Sequence, residues 1–156
     1  MAKTVAEVMS RDPIVVRPET PIREAIKILA DRCISGLPVV NEAGKLVGVI
    51  SETDLLWQET GVEPPVYIMF LDSVIYLENP ARYDKELHKA LGQTVGEVMS
   101  HHPVAVKPDL PLRQAARQIQ EKSIRRLAVT DNEGKVIGIL TPGDIVRAMA
   151  VELEEE

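Results

Sequence analysis

Gly48-Val49-Ile50-Ser51-Glu52-Thr53-Asp54 and Gly138-Ile139-Leu140-Thr141-Pro142-Gly143-Asp144 are one motif written twice. In each, an apolar run after a glycine predicts a buried strand that delivers a hydroxyl, and three residues later a carboxylate, to a helix start. Working outward, Thr4 to Leu56 returns as Thr94 to Val146 at a constant offset of 90 without a gap, and about 19 of 53 aligned positions are identical. Thr4-Val5-Ala6-Glu7-Val8-Met9-Ser10 matches Thr94-Val95-Gly96-Glu97-Val98-Met99-Ser100, and Pro13, Pro18 and Pro21 match Pro103, Pro108 and Pro111. The period exceeds the roughly 20–50 residues of solenoid and propeller repeats. The chain therefore reads as two tandem copies of one subdomain, and a site in one copy predicts a counterpart in the other.

Each copy parses alike. A helical turn opens it, with Thr4 and Glu7, or Thr94 and Glu97, spaced as a capping box. An extended run follows, Ile14-Val15-Val16 or Val104-Ala105-Val106. A helix then starts at Pro21 or Pro111, with Thr20 a good N-cap and Leu110 a poor one. Ile22, Ala25, Ile26 and Leu29, like Leu112, Ala115, Ala116 and Ile119, fall on one helical face. Two strands around Asn41 to Lys45, or Asp131 to Lys135, form a hairpin, and a last helix starts at Ser51 or Thr141. The unit is β-α-β-β-α. Repeat one spans 1–60, an insertion 61–93, repeat two 94–151 and an acidic tail 152–156.

In the insertion, Pro64-Pro65 breaks the chain. Val66, Met69, Phe70, Ser73, Val74 and Leu77 are then spaced along one face of an expected helix, for packing within the chain or across a dimer, or else for contact with a membrane surface or a partner protein. Asn79-Pro80 reads as a turn, and Ala81 to Leu91 as a polar helix ended by Gly92.

With 45% hydrophobic and 27% charged residues the chain is that of a soluble globular protein, and with only 3% aromatic residues its core must be aliphatic. A net charge of −6 argues against nucleic-acid binding, which rests on cations that neutralise phosphates. The stretch from His101 to Lys135 is locally basic, however, and suits a small anion. One cysteine, Cys33, excludes an internal disulfide and is expected as a small buried hydrophobe. No leader pattern and no membrane-length apolar run are visible, so the expectation is a cytoplasmic protein without a membrane span. His101-His102 has no third ligand at metal-site spacing, and Met9 and Met99 read as core fillers.

Taken alone, Ser/Thr-x-x-Asp is close to a capping box, although that motif prefers Glu or Gln at its fourth place. The same geometry binds ligands: free N–H groups at a helix start attract phosphate, and a carboxylate one turn in can accept two ribose hydroxyls. Capping and binding are compatible, since a capping hydroxyl can rotate to a ligand. No nucleophile–base pair and no phosphate-cradling glycine loop appears, so nothing points to an enzyme.

Repeat, order and spacing together resemble the CBS domain family, in which two copies form a Bateman module. Copy one carries Gly36-Leu37-Pro38 and then Gly48 through Asp54. Copy two keeps the second block, but Arg126 replaces the glycine and Ala128 the proline. The resemblance implies an α+β fold of two pseudo-twofold-related subdomains packed through their sheets, with clefts for adenine nucleotides. Asp54 and Asp144 would then hold ribose, and Ser51 and Thr141 would approach ribose or phosphate. Ile14, Ile34, Leu37 and Pro38 would line one adenine site, and Val104, Ile124 and Leu127 the other. Arg125 and Arg126 are the candidates for phosphate, since guanidiniums make forked bonds to its oxygens. Copy one has Ser35 and Gly36 there, so unequal sites are expected.

These features imply a nucleotide-sensing regulatory module with no obligatory cofactor or metal, whose ligand is AMP, ADP, ATP or another adenosyl compound. A homodimer and a protein target are the expected partners. The alternatives are a structural dimerisation module with degenerate sites, and a regulator of redox or other enzymes through protein contact, akin to single-module CBS proteins of bacteria and plant plastids.

Overall fold

In the computed structural model, residues 3–62, 67–70 and 73–155 are described. Copy one comprises α1 (Val5–Val8), β1 (Ser10–Arg11), α2 (Ile22–Arg32), β2 (Gly36–Val40), β3 (Leu46–Ser51) and α3 (Glu52–Thr60). The insertion supplies β4 (Tyr67–Phe70), β5 (Ser73–Tyr76) and α4 (Pro80–Leu91). Copy two comprises α5 (Val95–Val98), β6 (Ala105–Val106), α6 (Leu112–Lys122), β7 (Leu127–Thr130), β8 (Val136–Leu140) and α7 (Pro142–Glu154).

The β-α-β-β-α unit is present twice, with local differences. In copy two, β6 pairs in parallel with β7. The equivalent run in copy one is reduced to a single bridge between Val16 and Val39. Thr20 does not cap α2. Its hydroxyl instead accepts from the Arg17 amide at 3.0 Å, closing the preceding turn, while Pro21 occupies the cap position in extended backbone. Pro111 does the same for α6, so this helix starts as its counterpart does despite Leu110. Both helices end in left-handed residues, Cys33 and Ser123. Cys33 is accordingly exposed at a helix end rather than buried.

The two hairpin turns are built alike. The side-chain oxygen of Asn41 accepts from the amides of Ala43 and Lys45, and that of Asp131 from the amides of Glu133 and Lys135. Gly44 and Gly134 take the positive φ that each turn needs.

The first half of the insertion corrects the expected helix. Tyr67–Phe70 and Ser73–Tyr76 form an antiparallel hairpin, Tyr67 opposite Tyr76 and Phe70 opposite Ser73. The run is rich in aromatic and β-branched residues, whose preference for strands outweighs a helical spacing read over so few positions. Pro64, Pro65, Val66, Leu71 and Asp72 lie outside the described residues. The polar helix is found as α4, capped by Asn79, whose side chain accepts from the Ala81 amide, and ended at Gly92.

The two repeats exchange their opening arms. β1 pairs with β8, giving a sheet of order β1-β8-β7-β6, while Ser100 of copy two bridges to Val49 in β3. Val5 and Met9 are buried in one core with Ala115, Ile119, Leu127, Val129 and Leu140. Val95 and Val98 are buried in the other with Ala25, Leu29, Leu37, Val39 and Ile50. Each core is thus completed by the other repeat's arm, and neither sequence repeat closes a core alone. The glycines of the duplicated motif permit this crossing. A Cβ at Gly48 would lie 2.6 Å from the Met99 Sδ, and one at Gly138 would lie 2.5 Å from the Met9 Sδ.

Candidate functional site

The end of each second hairpin strand becomes a helix cap because its residue stays extended while the next begins the helix. Ser51 and Thr141 have β-region backbones, and their hydroxyls accept from the amides of Asp54 and Asp144 at 3.4 and 3.2 Å. In return, Asp54 and Asp144 each accept from the cap residue's own amide at 3.0 Å. The capping reading of the motif therefore holds in both copies, and it buries two carboxylates, 7% and 6% exposed.

The second oxygen of each acid faces the exchanged arm. Asp54 Oδ1 accepts from Ser100 Oγ at 3.1 Å and from Lys89 Nζ at 2.6 Å. Asp144 Oδ1 accepts from Ser10 Oγ at 3.2 Å and from the Arg147 guanidinium. Ser10 and Ser100 are equivalent in the repeat. The two cations are not: Lys89 comes from the insertion helix α4 and its side chain is 12% exposed, whereas Arg147 lies on α7, one turn from its acid, and is 72% exposed.

A cavity of about 520 Å³ opens between the repeats, a size in the usual range of ligand pockets. Copy one contributes Ser35, Gly36, Leu37 and Pro38 from the start of β2, Val49 of β3, and Ser51, Glu52 and Thr53 at the head of α3. Copy two contributes His102, Pro103 and Val104 after its arm, Ser123 to Arg126 between α6 and β7, and Ala128 and Ile139. The hydroxyl end of copy one thus faces the apolar wall and the arginines of copy two. That crossed pairing follows from the exchanged arms.

Of the residues singled out in the sequence, Leu37, Pro38, Ser51, Val104, Ile124, Arg125 and Arg126 meet in this cavity. Ile14 and Ile34 pack half-buried against the core of copy one, and Leu127 is fully buried in that of copy two. Thr141 and Asp144 sit at the pseudo-symmetric position and are not among the residues that line this cavity. Asp54 is turned from the cavity towards Ser100 and Lys89, although its neighbours Ser51 to Thr53 line the wall.

Arg126 lines the cavity with two other charged residues, Arg125 and Glu52. Burial lowers the Arg126 pKa from the ordinary guanidinium value, and nearby Asp144 partly offsets this. Its Nε is buried and has no hydrogen-bond partner among the described residues. Its stem passes beside Gly36, whose added Cβ would stand 3.5 Å from the Arg126 Cδ. The mismatch Gly36 against Arg126 is therefore complementary: one repeat leaves the space that the other fills.

Sequence reasoning missed Lys89, Ser10, Ser100 and Arg147. The two serines carried a signal, since both stand at the close of a conserved repeat block whose following residues diverge. Lys89 carried none, because nothing in the insertion repeats.

Fold and site together define a duplicated module with crossed arms and a cleft between its repeats. The chain belongs to the CBS domain family, whose profile matches residues 5–58 and 95–151. It is 36% identical over 144 residues to the CBS domain-containing protein CBSX2, chloroplastic, of Arabidopsis thaliana, an alignment covering 91% of this chain and 60% of that protein. It is 32% identical over 152 residues to the uncharacterized protein MJ1426 of Methanocaldococcus jannaschii, covering 93% of this chain and 90% of the other. The chain thus spans about three fifths of the length of its Arabidopsis relatives. Among solved structures, CBSX2 in complex with AMP superposes with a TM-score of 0.79 at 33% identity, covering 95% and 97% of the two chains. The CBS domain pair of protein MJ0100 in complex with 5-methylthioadenosine and S-adenosyl-L-methionine gives a TM-score of 0.70 at 25% identity, covering 97% and 99%. No described helix is long and apolar enough to cross a membrane.

Proposed function

We propose that this chain is a regulatory module that binds an adenine nucleotide between its repeats and passes the binding on as a change in a partner or in its own dimer. The observation that carries the reading is the inter-repeat cavity, lined by an apolar wall, by Ser51 and Thr53 and by Arg125 and Arg126, with the Arg126 Nε buried beside it and unpartnered among the described residues. Val104, Ile124 and Leu37 suit the faces of a purine. Arg125 and Arg126 suit phosphate oxygens, because a guanidinium with an unmet donor gains most from an anion. Asp144, and Asp54 once freed of its present partners, are assigned to ribose hydroxyls, with Thr141 and Ser51 beside them. The AMP and adenosyl complexes of similar proteins support this ligand class. Exposed Leu56 on α3 and Val146, Met149 and Leu153 on α7 support a homodimer through those helices. The reading is of a regulatory rather than catalytic protein, and of a cytoplasmic one.

A second reading, a dimerisation module with degenerate sites, draws on one observation: both carboxylates already have acceptors filled within the chain. Titration of nucleotide-free protein with AMP, ADP, ATP, NAD and S-adenosylmethionine separates the two. Ligand at about 100 times its dissociation constant should stabilise the fold by roughly 2.7 kcal/mol. Asp144→Ala should remove one site. Absence of binding by every compound would refute the sensing reading, and an unchanged stoichiometry in Asp54→Ala and Asp144→Ala would refute the ribose assignment.

A further inference from the structure

We infer that the insertion helix α4 is a latch on one of the two sites, with Lys89 as its bolt. The inference rests on reading Asp54 as a ribose acceptor, and it concerns how access to that acid is controlled. Asp54 has no free acceptor. Its Oδ2 takes the Ser51 amide and hydroxyl at 3.0 and 3.1 Å, and its Oδ1 takes Lys89 and Ser100. A ribose diol donates two hydrogen bonds to one carboxylate; rotation of the Ser51 hydroxyl frees only one acceptor position on Oδ2, so at least one of the pair on Oδ1 must give way. Lys89 is held there by more than the acid, because its ammonium also donates to the Val98 carbonyl at 3.0 Å and lies 3.4 Å from the Ser100 hydroxyl. The backbone behind it is fixed as well. Gln58 of α3 donates its side-chain amide to the carbonyls of Lys89 and Gly92, tying the end of α4 to α3.

The other repeat lacks this device. Its acid is met by Arg147 from the same helix, three residues on, with a side chain largely in solvent. That cation can swing aside without moving an element. Lys89 is nearly buried, so its release requires the end of α4 to part from α3 and from the arm at Val98 and Ser100. Asp144 is therefore the acid with the freer cation, and Asp54, beside the cavity head at Ser51 to Thr53, accepts a ribose only as α4 lets go. Binding there would move the non-repeated segment, the part of the chain that no pseudo-symmetry constrains. Only a ligand with unequal affinity for latched and released states can drive that shift.

Calorimetric titration with AMP in an Asp144→Ala background isolates the Asp54 site, and Lys89→Gln removes the bolt while keeping a neutral donor. If the latch is closed about nine-tenths of the time, Lys89→Gln should tighten AMP at this site about tenfold. In wild-type protein, AMP should speed amide exchange along α4, a reading that needs no variant to fold. If AMP binds the Asp144→Ala protein with the same affinity with and without Lys89→Gln, and α4 exchange does not change, the latch is overturned while the ribose assignment stands. If wild type binds AMP but Asp144→Ala binds none even with Lys89→Gln, Asp54 is no ribose site and the latch falls with it. If no form binds AMP, the nucleotide reading itself is overturned.

Discussion

Replacing Arg126 by methionine should act in opposite directions on the free and the liganded protein. In the free protein the Arg126 guanidinium is half-buried, its Nε has no partner among the described residues, and burial holds its pKa down with Asp144 only partly compensating. A buried donor left unmet costs about 1–3 kcal/mol, so removing it offsets the lost attraction to Asp144. Methionine keeps an unbranched stem against Gly36, so no large void opens. The ligand-free variant should thus be as stable as wild type or about 1 kcal/mol more stable. With nucleotide present the sign reverses. A hydrogen bond between a charged pair contributes about 1.5–3 kcal/mol, and its loss weakens AMP by roughly ten- to a hundredfold. At a concentration about 100 times the wild-type dissociation constant, a thirtyfold weaker variant keeps only about 0.9 of the 2.7 kcal/mol of ligand stabilisation. At roughly 2–4 °C per kcal/mol for a chain of this size, the AMP-induced rise in Tm should shrink from about 8 °C to about 3 °C. Adenosine, which has no phosphate, should bind wild type and variant alike. Exposed Arg125 is the control, and Arg125→Met should leave free stability within about 0.5 kcal/mol. A variant that keeps the full AMP shift, or loses several degrees without ligand, would refute the assignment of Arg126 to phosphate.

Three other substitutions test how the repeats fit together. Gly48→Ala and Gly138→Ala each drive a methyl group towards the exchanged arm, with the Ser100 and Ser10 carbonyl oxygens at 3.0 Å. Each should cost about 1–3 kcal/mol in chemical denaturation, and a change below about 0.5 kcal/mol would show that the arms do not press on these strands. Gly36→Arg should destabilise the fold, since its Cβ meets the Ile50 carbonyl oxygen at 3.1 Å and its stem meets Arg126. Adding Arg126→Gly should recover the part of the loss that comes from the collision with Arg126, while the Ile50 contact remains, and a double variant as unstable as the single one would contradict the complementarity. Backbone hydrogen bonds, first from Lys135 and then from Glu133, hold the Asp131 carboxyl below its usual pKa. Copy one makes the same turn with Asn41, so Asp131→Asn is a matched control. The advantage of wild type over this variant should be full above the unfolded carboxyl value of about 3.9 and vanish as pH falls through the lowered folded value. A difference in denaturation midpoint that does not change with pH would exclude that origin.

What could be read from the sequence was whatever is written twice. The hydroxyl and acid at Ser51 and Asp54 come with a duplicate at Thr141 and Asp144, so spacing alone placed both pairs at helix starts, where they are found. The hairpins around Asn41 and Asp131 were legible for the same reason. The insertion has no second copy. Over its first few apolar residues helical and strand spacing fit about equally, and β-propensity prevailed in Tyr67–Phe70 and Ser73–Tyr76. Lys89 was invisible because its role depends on where α4 docks, a matter of long-range packing rather than of neighbours in sequence.

The pairing of the cavity's walls was hidden for another reason. A repeat tempts the reader to assign each copy its own site, with Ile14, Ile34 and Leu37 in one and Val104, Ile124 and Leu127 in the other. The exchanged arms break that assignment, because Ser100 is bound to β3 and carries His102 to Val104 across to the hydroxyl end of copy one. The cleft is then assembled from both copies, and a ligand in it touches both. Gly36 and Arg126, which looked like a motif kept in one copy and decayed in the other, meet across that cleft. Divergence at paired positions is what a two-copy module needs to build one asymmetric cavity, because two arginines there would collide and two glycines would leave no charge. On the proposed reading, a ligand that meets Arg126 would bind the repeats to each other, and occupancy of the cleft would thereby bias the arrangement of the whole module.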